Sequence, residues 1–242
     1  MSSSQLVDYY SARASEYEEV YDKPERQSDL RLLDEVIPAF FSQRHVLEVA
    51  CGTGYWTRRI ATRSASILGC DLSEEVLRLA AERQPSATET SFVVADAFAL
   101  ESISGDFDAA FVGFWWSHVL KEDVQRFLRG LHRRLPAESP VMIVDNRFVA
   151  GSNWPVIRTD QAGNTYQRRR LRSGAEYDVL KNFPSPASVA DALREAGGES
   201  VTVHELEFYW YAIYRVQAPS KIIEPDSRSS VVVRLPVNSD VR

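Results

Sequence analysis

The 242-residue sequence offers little to a soft metal: two cysteines, Cys51 and Cys70, and four histidines. The cysteines form no CxxC pair, so a structural zinc site is not expected, and both read as small buried fillers. So few thiols, and no disulfide framework, suit a cytoplasmic protein. Positive charge is not in excess either. Lys plus Arg is 28 against 34 for Asp plus Glu, a formal charge of −6. A chain of that sign has no general attraction for nucleic acid or an anionic membrane. No uncharged apolar run approaches the roughly 18 residues of a membrane span. The opening MSSSQLVDYYSAR has no basic cluster followed by an apolar run, so no secretory signal is expected. What is present is an ordinary globular composition, 44% hydrophobic and 26% charged, of a length that fits one large α/β domain or two small ones, without an internal repeat.

Residues 5–41 carry a helical texture. Leu6, Tyr9, Tyr10 and Arg13, then Tyr17, Val20 and Tyr21, recur at spacings of three and four. Leu30, Leu32, Leu33, Val36 and Ile37 follow before Pro38, which is expected to stop the helix. Short apolar runs then begin: 45–49 (HVLEV), 66–70 (SILGC), 91–95 (SFVVA), 107–113 (FDAAFVG) and 140–145 (PVMIVD). They alternate with helix-length segments at about 55–63, 73–84 and 121–135, the pattern of βα units around a parallel sheet covered on both faces. After Asp145 the alternation stops. A Gly/Ser/Asn/Pro-rich stretch, 150–164, leads to a hairpin centred on Arg172-Ser173-Gly174. A helix at 185–196 ends at Gly197-Gly198, and 201–216 reads as two antiparallel strands meeting near Glu205 to Glu207.

The most informative stretch is Val46-Leu47-Glu48-Val49-Ala50-Cys51-Gly52-Thr53-Gly54-Tyr55-Trp56, an apolar strand running into a Gly-x-Gly turn that opens a helix. Glycines there let the chain turn sharply and let a ligand approach the backbone. A dinucleotide site prefers G-x-G-x-x-G, but the third position is Thr57. Glu48, four residues before Gly52, would repel a pyrophosphate and suit the ammonium of an amino-acid moiety.

VLEVACGTG resembles the first motif of the class I S-adenosylmethionine-dependent methyltransferases, and the strands after it agree in order. Asp71 ends ILGCDLS, nineteen positions after Gly52; Asp96-Ala97 ends the next run; FDAAFVGFWWSHV resembles the fourth motif. The resemblance is strong over residues 40–145 and looser over 5–40 and 185–216. It implies an α/β fold, a Rossmann-like seven-stranded mostly parallel sheet with helices on both faces, an antiparallel final strand pair and an inserted hairpin cap after strand five. It also implies S-adenosylmethionine as methyl donor, S-adenosylhomocysteine as product, and no metal. The cofactor-binding residues it implies are Glu48, Ala50, Gly52, Gly54 and Trp56 at the turn, Asp71 and Leu72 at the ribose, Asp96 and Ala97 at the adenine, and Phe114 beside the methyl. Arg13 is expected to pair with the donor's carboxylate, within a tyrosine-rich lid that includes Tyr9, Tyr10 and Tyr17. Structural alternatives stay open: Asp71 as a helix cap, Asp96 as a loop acid, Glu48 as a brace for the turn's amides, Trp56 as packing.

A sulfonium already activates its methyl group, so positioning and exclusion of water remain for the protein. His118 is the candidate general base for an acceptor that needs one, and Asp145 is a weaker candidate that would otherwise anchor a loop. Substrate contacts are expected from Tyr10, Trp115, Trp116, Arg147, Trp154 and Trp210, since aromatic walls suit a planar ring. Arg168, Arg169, Arg170 and Arg172 either select an anionic group or form an exposed hairpin face. The expected protein is a monomer or homodimer with a helical lid (1–41), a core (42–216) whose 147–184 insert caps the site, and a tail (217–242). It methylates oxygen or nitrogen of a small aromatic or heterocyclic metabolite. A protein or peptide methyltransferase is the nearest rival, then an NAD-linked oxidoreductase or a non-catalytic cofactor sensor.

Overall fold

A computed structural model describes residues 14–83 and 89–217, with side chains from Glu18 onward. The parallel strands are β1 (His45–Val49), β2 (Ser66–Asp71), β3 (Glu89–Val94), β4 (Ala109–Gly113) and β5 (Pro140–Asn146). With β9 (Gly198–Glu205) and β10 (Tyr209–Val216) they form one sheet in the order β3-β2-β1-β4-β5-β10-β9. β10 runs antiparallel to both β5 and β9, giving the expected final pair. The central apolar runs become strands buried on both faces, β4 and β5 almost throughout, whereas the edge strand β3 is exposed or half-buried along its length.

Helices α1 (Gln27–Phe40) and α2 (Tyr55–Ile60) cover one face, where Leu33, Ile37, Phe41 and Trp56 pack on Phe111, Met142, Tyr209 and Tyr211. α4 (Val124–His132) and α5 (Pro186–Glu195) cover the other, where Phe127, Leu131 and Leu193 pack on Trp210, Ala212 and Tyr214. α3 (Glu74–Glu82) links β2 to β3. Pro38 does not stop α1, which runs on to Phe40. In the last turn a proline forfeits only one intrahelical bond, and its ring is buried beside Ile37. The segment before α1 is not one helix: Ala14–Tyr21 and Pro24–Arg26 are separate 3-10 turns.

The expected hairpin is β7 (Thr165–Arg170) with β8 (Glu176–Leu180), turning through Gly174 at φ 89°. It carries a third strand that the sequence reading missed, β6 (Val156–Thr159), in the order β6-β7-β8. All four β6 residues are exposed, so no apolar alternation marked it. Among the described residues no helix is long and apolar enough to cross a membrane.

Candidate active site

β1 lies at the point where the sheet's winding reverses, with β2 and β3 to one side and β4 and β5 to the other. Ligands of open α/β sheets bind at the carboxyl end of such a strand. There the chain bends through three left-handed residues, Ala50 (φ 55°), Gly52 (φ 55°) and Gly54 (φ 74°), the last of which starts α2. For Ala50 this conformation is strained, which only a surrounding structure that fixes it would sustain. Asp71, at the end of β2, accepts the Gly52 N–H and the Ser73 N–H, both at 3.0 Å. Burial pushes its carboxyl up, and the N–H groups of Ser73, Gly52 and Leu72 oppose that. Asp71 therefore ties the glycine turn to the start of α3. Leu72 beside it is 41% exposed. Asp96, exposed at the end of β3, accepts the Phe98 N–H at 2.9 Å, and Ala97 is buried.

Glu48 points inward, 2% exposed, and its Oε2 has no hydrogen-bond partner among the described residues. Burial pushes its carboxyl up to about 8, and Asp71 adds to the shift; the Thr57 hydroxyl and Arg58 oppose it. At neutral pH it is largely protonated. The carboxylate over the turn is instead Glu18, a residue the sequence reading did not single out. It accepts from Thr53 Oγ1 at 2.9 Å, Arg58 Nη2 at 3.0 Å and Arg83 Nη1 at 2.7 Å. Those bonds hold its carboxyl below the usual range despite burial. The two cysteines are buried and free, Cys70 with its thiol pushed up to about 12 by burial, so neither is poised as a nucleophile.

A cavity of about 260 Å³ lies beyond this turn. Phe114 after β4, His118, Asn146 at the end of β5, Trp154 of the insert and Tyr209 of β10 line it. Tyr21 connects it to the glycine turn: the ring lines the cavity, stacks on Tyr55 at 3.7 Å, and meets Trp56 and Phe114 edge-on at 6.0 and 5.8 Å. Trp56 is otherwise enclosed in the core.

Of the expected substrate contacts, Trp154 reaches the cavity and several do not. Trp116 and Trp210, 5% and 0% exposed, turn into the opposite core and meet edge-on at 5.8 Å. Successive residues of a strand point to opposite faces, so on β10 Tyr209 faces the cavity and Trp210 cannot. Trp115 packs near Phe98, on the β3 side. Arg147 pairs with Glu205 at 3.2 Å and donates to the Leu206 carbonyl, bracing the β9–β10 turn. Tyr10 and Arg13 lie outside the described residues. Asp145 is fully buried and anchors the loop after β4: its oxygens accept the Ser117 N–H at 2.8 Å and the Ser117 hydroxyl at 2.9 Å. Arg169 lines the cavity, whereas Arg168 bonds outward to Asp178 at 2.8 Å. The sequence reading did not identify three more basic residues on the cavity wall, Lys23, Arg26 and Lys181.

Residues 46–137 match the family model of a methyltransferase domain. A demethylmenaquinone methyltransferase of Thermobifida fusca is 35% identical over 189 residues, 72% of this chain and 77% of that protein. A malonyl-[acyl-carrier protein] O-methyltransferase of Halorhodospira halophila is 31% identical over 137 residues; the match spans 55% of this chain and only 45% of that relative. Among solved structures, a DhpI complex with S-adenosylhomocysteine superposes with a TM-score of 0.71 at 27% identity, covering 88% of this chain and 96% of that one. The same protein's complex titled DhpI-SAM-HEP gives 0.70 at 26% identity, covering 89% and 99%. The sheet order, the glycine turn at its switch point and these likenesses agree: the chain belongs to the class I S-adenosylmethionine-dependent methyltransferases.

Proposed function

We propose that this chain transfers the methyl group of S-adenosylmethionine to oxygen or nitrogen of a small metabolite held in the cavity beyond the glycine turn. The observation that carries the reading is the shared wall: Tyr21 and Phe114 line the cavity and also pack against Tyr55 and Trp56, at the start of the helix the turn opens. The residues fit the donor. Asp71 presents a carboxylate acceptor at the end of β2 for a ribose hydroxyl, and Leu72 and Val94 leave apolar surface at the same strand ends. In this reading Ala50, Gly52 and Gly54 let the backbone approach the methionine portion, with Glu48 beneath and Trp56 behind. Asp71 and Leu72 hold the ribose side, Asp96 and Ala97 the adenine edge, and Phe114 borders the methyl.

When bound, the donor supplies a methyl group already activated by its sulfonium. The chain contributes orientation and exclusion of water. Tyr21, Phe114 and Tyr209 wall the cavity with rings, and the 147–184 insert, through Trp154, Arg169 and Lys181, acts as its cap. Tyr21, Lys23 and Arg26, ahead of α1, close its other side. His118, on the cavity wall, removes a proton where the acceptor carries one on the attacking atom. The cavity is smaller than most ligand pockets, which run from roughly 300 Å³ upward. A space of that size favours a metabolite over a peptide laid in a groove.

The test is a screen of small acceptors with methyl-labelled donor, followed by mass spectrometry of whichever compound gains one methyl. Labelling of peptides alone would refute the small-molecule reading. A thermal shift produced by NAD and not by S-adenosylhomocysteine would refute the donor site.

A further inference from the structure

The cavity's charge runs against that of the protein. The chain carries a formal −6, yet the cavity wall gathers four basic side chains, Lys23, Arg26, Arg169 and Lys181, with one carboxylate, Glu19. That carboxylate is engaged by Arg172 at 2.6 Å. Arg26 is 5% exposed, and its guanidinium bonds only to neutral oxygens: Ser152 Oγ at 3.0 Å, Asn146 Oδ1 at 3.1 Å and the Ser152 carbonyl at 3.3 Å. Among the described residues it makes no ion pair. Glu25, next to it in sequence, turns outward and accepts from the Ser152 hydroxyl at 2.8 Å.

Lys181 is also 5% exposed. Its ammonium donates to Ser117 Oγ at 2.6 Å and lies 3.4 Å from Asp145 Oδ1, an oxygen already taken by the Ser117 hydroxyl and the Asn146 N–H. Lys23 donates to the Ser152 carbonyl, and Arg169 to Gln167 Oε1 at 2.7 Å. Asp145 thus pairs with Lys181, and the buried guanidinium of Arg26 meets only neutral oxygens among the described residues. Buried charges are costly unless paired, so a wall of this kind is complete only with an anion against it. Burial first, then Arg26 and Arg169, depresses the ammonium groups of Lys23 and Lys181, while Glu25 opposes this at Lys23 and Asp145 at Lys181.

We infer that the methyl acceptor is a small oxyacid whose carboxylate or phosphate-type group is held by Arg26 and Lys181, with Lys23 and Arg169 at its rim; this rests on the proposed use of the cavity as the acceptor site. A planar guanidinium matches two oxygens of either group, and an ammonium takes a further one as a point charge. A neutral ring alone would fill the aromatic part of the cavity and leave the buried Arg26 guanidinium without a counter-charge.

Equilibrium binding tests this without requiring turnover. The full chain, saturated with S-adenosylhomocysteine, is titrated by calorimetry with acetate, benzoate, inorganic phosphate and phenyl phosphate, and with acetamide, benzamide and phenol as neutral matches. At least one acid is expected to bind ten-fold or more tightly than its neutral match, with affinity falling as salt rises. The carboxylate and phosphate arms tell the two oxyacids apart. Arg169→Gln, at the half-buried rim, and Lys181→Met are each expected to weaken the acid at least ten-fold while leaving S-adenosylhomocysteine affinity as it was. Acids no tighter than their neutral matches would overturn the inference. Variants that lost S-adenosylhomocysteine instead would overturn it too, since the cations would then serve the donor's own carboxylate. Methyl transfer only to neutral acceptors would overturn this inference and leave the proposed function standing, whereas no methyl transfer to any small molecule would sink both.

Discussion

Replacing Glu48 by glutamine is expected to stabilise the ligand-free protein above mildly acidic pH. The carboxyl is enclosed at the end of β1, with one oxygen unpartnered, and burial raises its pKa from 4.5 to about 8. Between those values the folded chain holds a proton that the unfolded chain has released. Stability contributed by the neutral group is therefore full below pH 4.5 and is lost as pH rises through about 8. Each pH unit in that window is worth about 1.4 kcal/mol. The whole excursion is then on the order of 5 kcal/mol, and partial hydration of the site would bring the measured figure to roughly 2–5 kcal/mol. Glutamine keeps the shape and stays neutral throughout. Urea unfolding of both proteins from pH 4.5 to 9 reads the effect as a difference curve. Glu48→Gln gains on the parent as pH rises, and the gain levels off above pH 8. Parallel curves, or a variant that loses ground with rising pH, would show that Glu48 is charged in the fold.

Other consequences are equally direct. Asp71→Ala removes the acceptor for the Gly52 and Ser73 N–H groups along with the proposed ribose contact, so donor affinity by calorimetry should fall by about 1–3 kcal/mol; unchanged affinity would refute the ribose role. Gly54→Val places a β-branched residue at φ 74° and should abolish donor binding in a chain that still folds, as circular dichroism and calorimetry together would report. His118→Ala should lower kcat and spare donor affinity, and full turnover would remove it as the base. Lys181 is lowered from 10.5 to about 8 by burial first, then by Arg169 and Arg26, against the pull of Asp145. From about pH 8 to 10.5 the unfolded chain holds the extra proton, so the parent should gain stability on Lys181→Met across that window in denaturant titrations.

The sheet was legible because its central strands are apolar at nearly every position and the helices between them are not. Strand positions, the antiparallel final pair and the glycine turn all follow from that contrast. β6 escaped because its Val156-Ile157-Arg158-Thr159 lies exposed on every side, so burial wrote no period into it. The aromatic residues near the cavity were visible as a group but not by face. Along β10 both faces are buried, so alternation separates Tyr209 from Trp210 without saying which side opens onto a cavity. The basic wall was hidden for a different reason. Arg26 and Lys181 sit in unrelated segments with unremarkable neighbours, and only the packing of the insert against the start of α1 brings them together. Arg169 belonged to a visible arginine run, but sequence does not tell an inward strand position from an outward one.

Tyr21 is a partition with two tenants. One side of the ring presses on Tyr55 beside the glycine turn, and the same ring forms part of the wall of the cavity proposed for the acceptor. Neither compartment can alter the position of that ring in private. Whatever free energy one guest spends in setting it is inherited by the other, and linkage makes the inheritance mutual. Donor and acceptor affinities of this enzyme are thus properties of a pair, and a value measured for either alone describes a different wall from the one present during transfer.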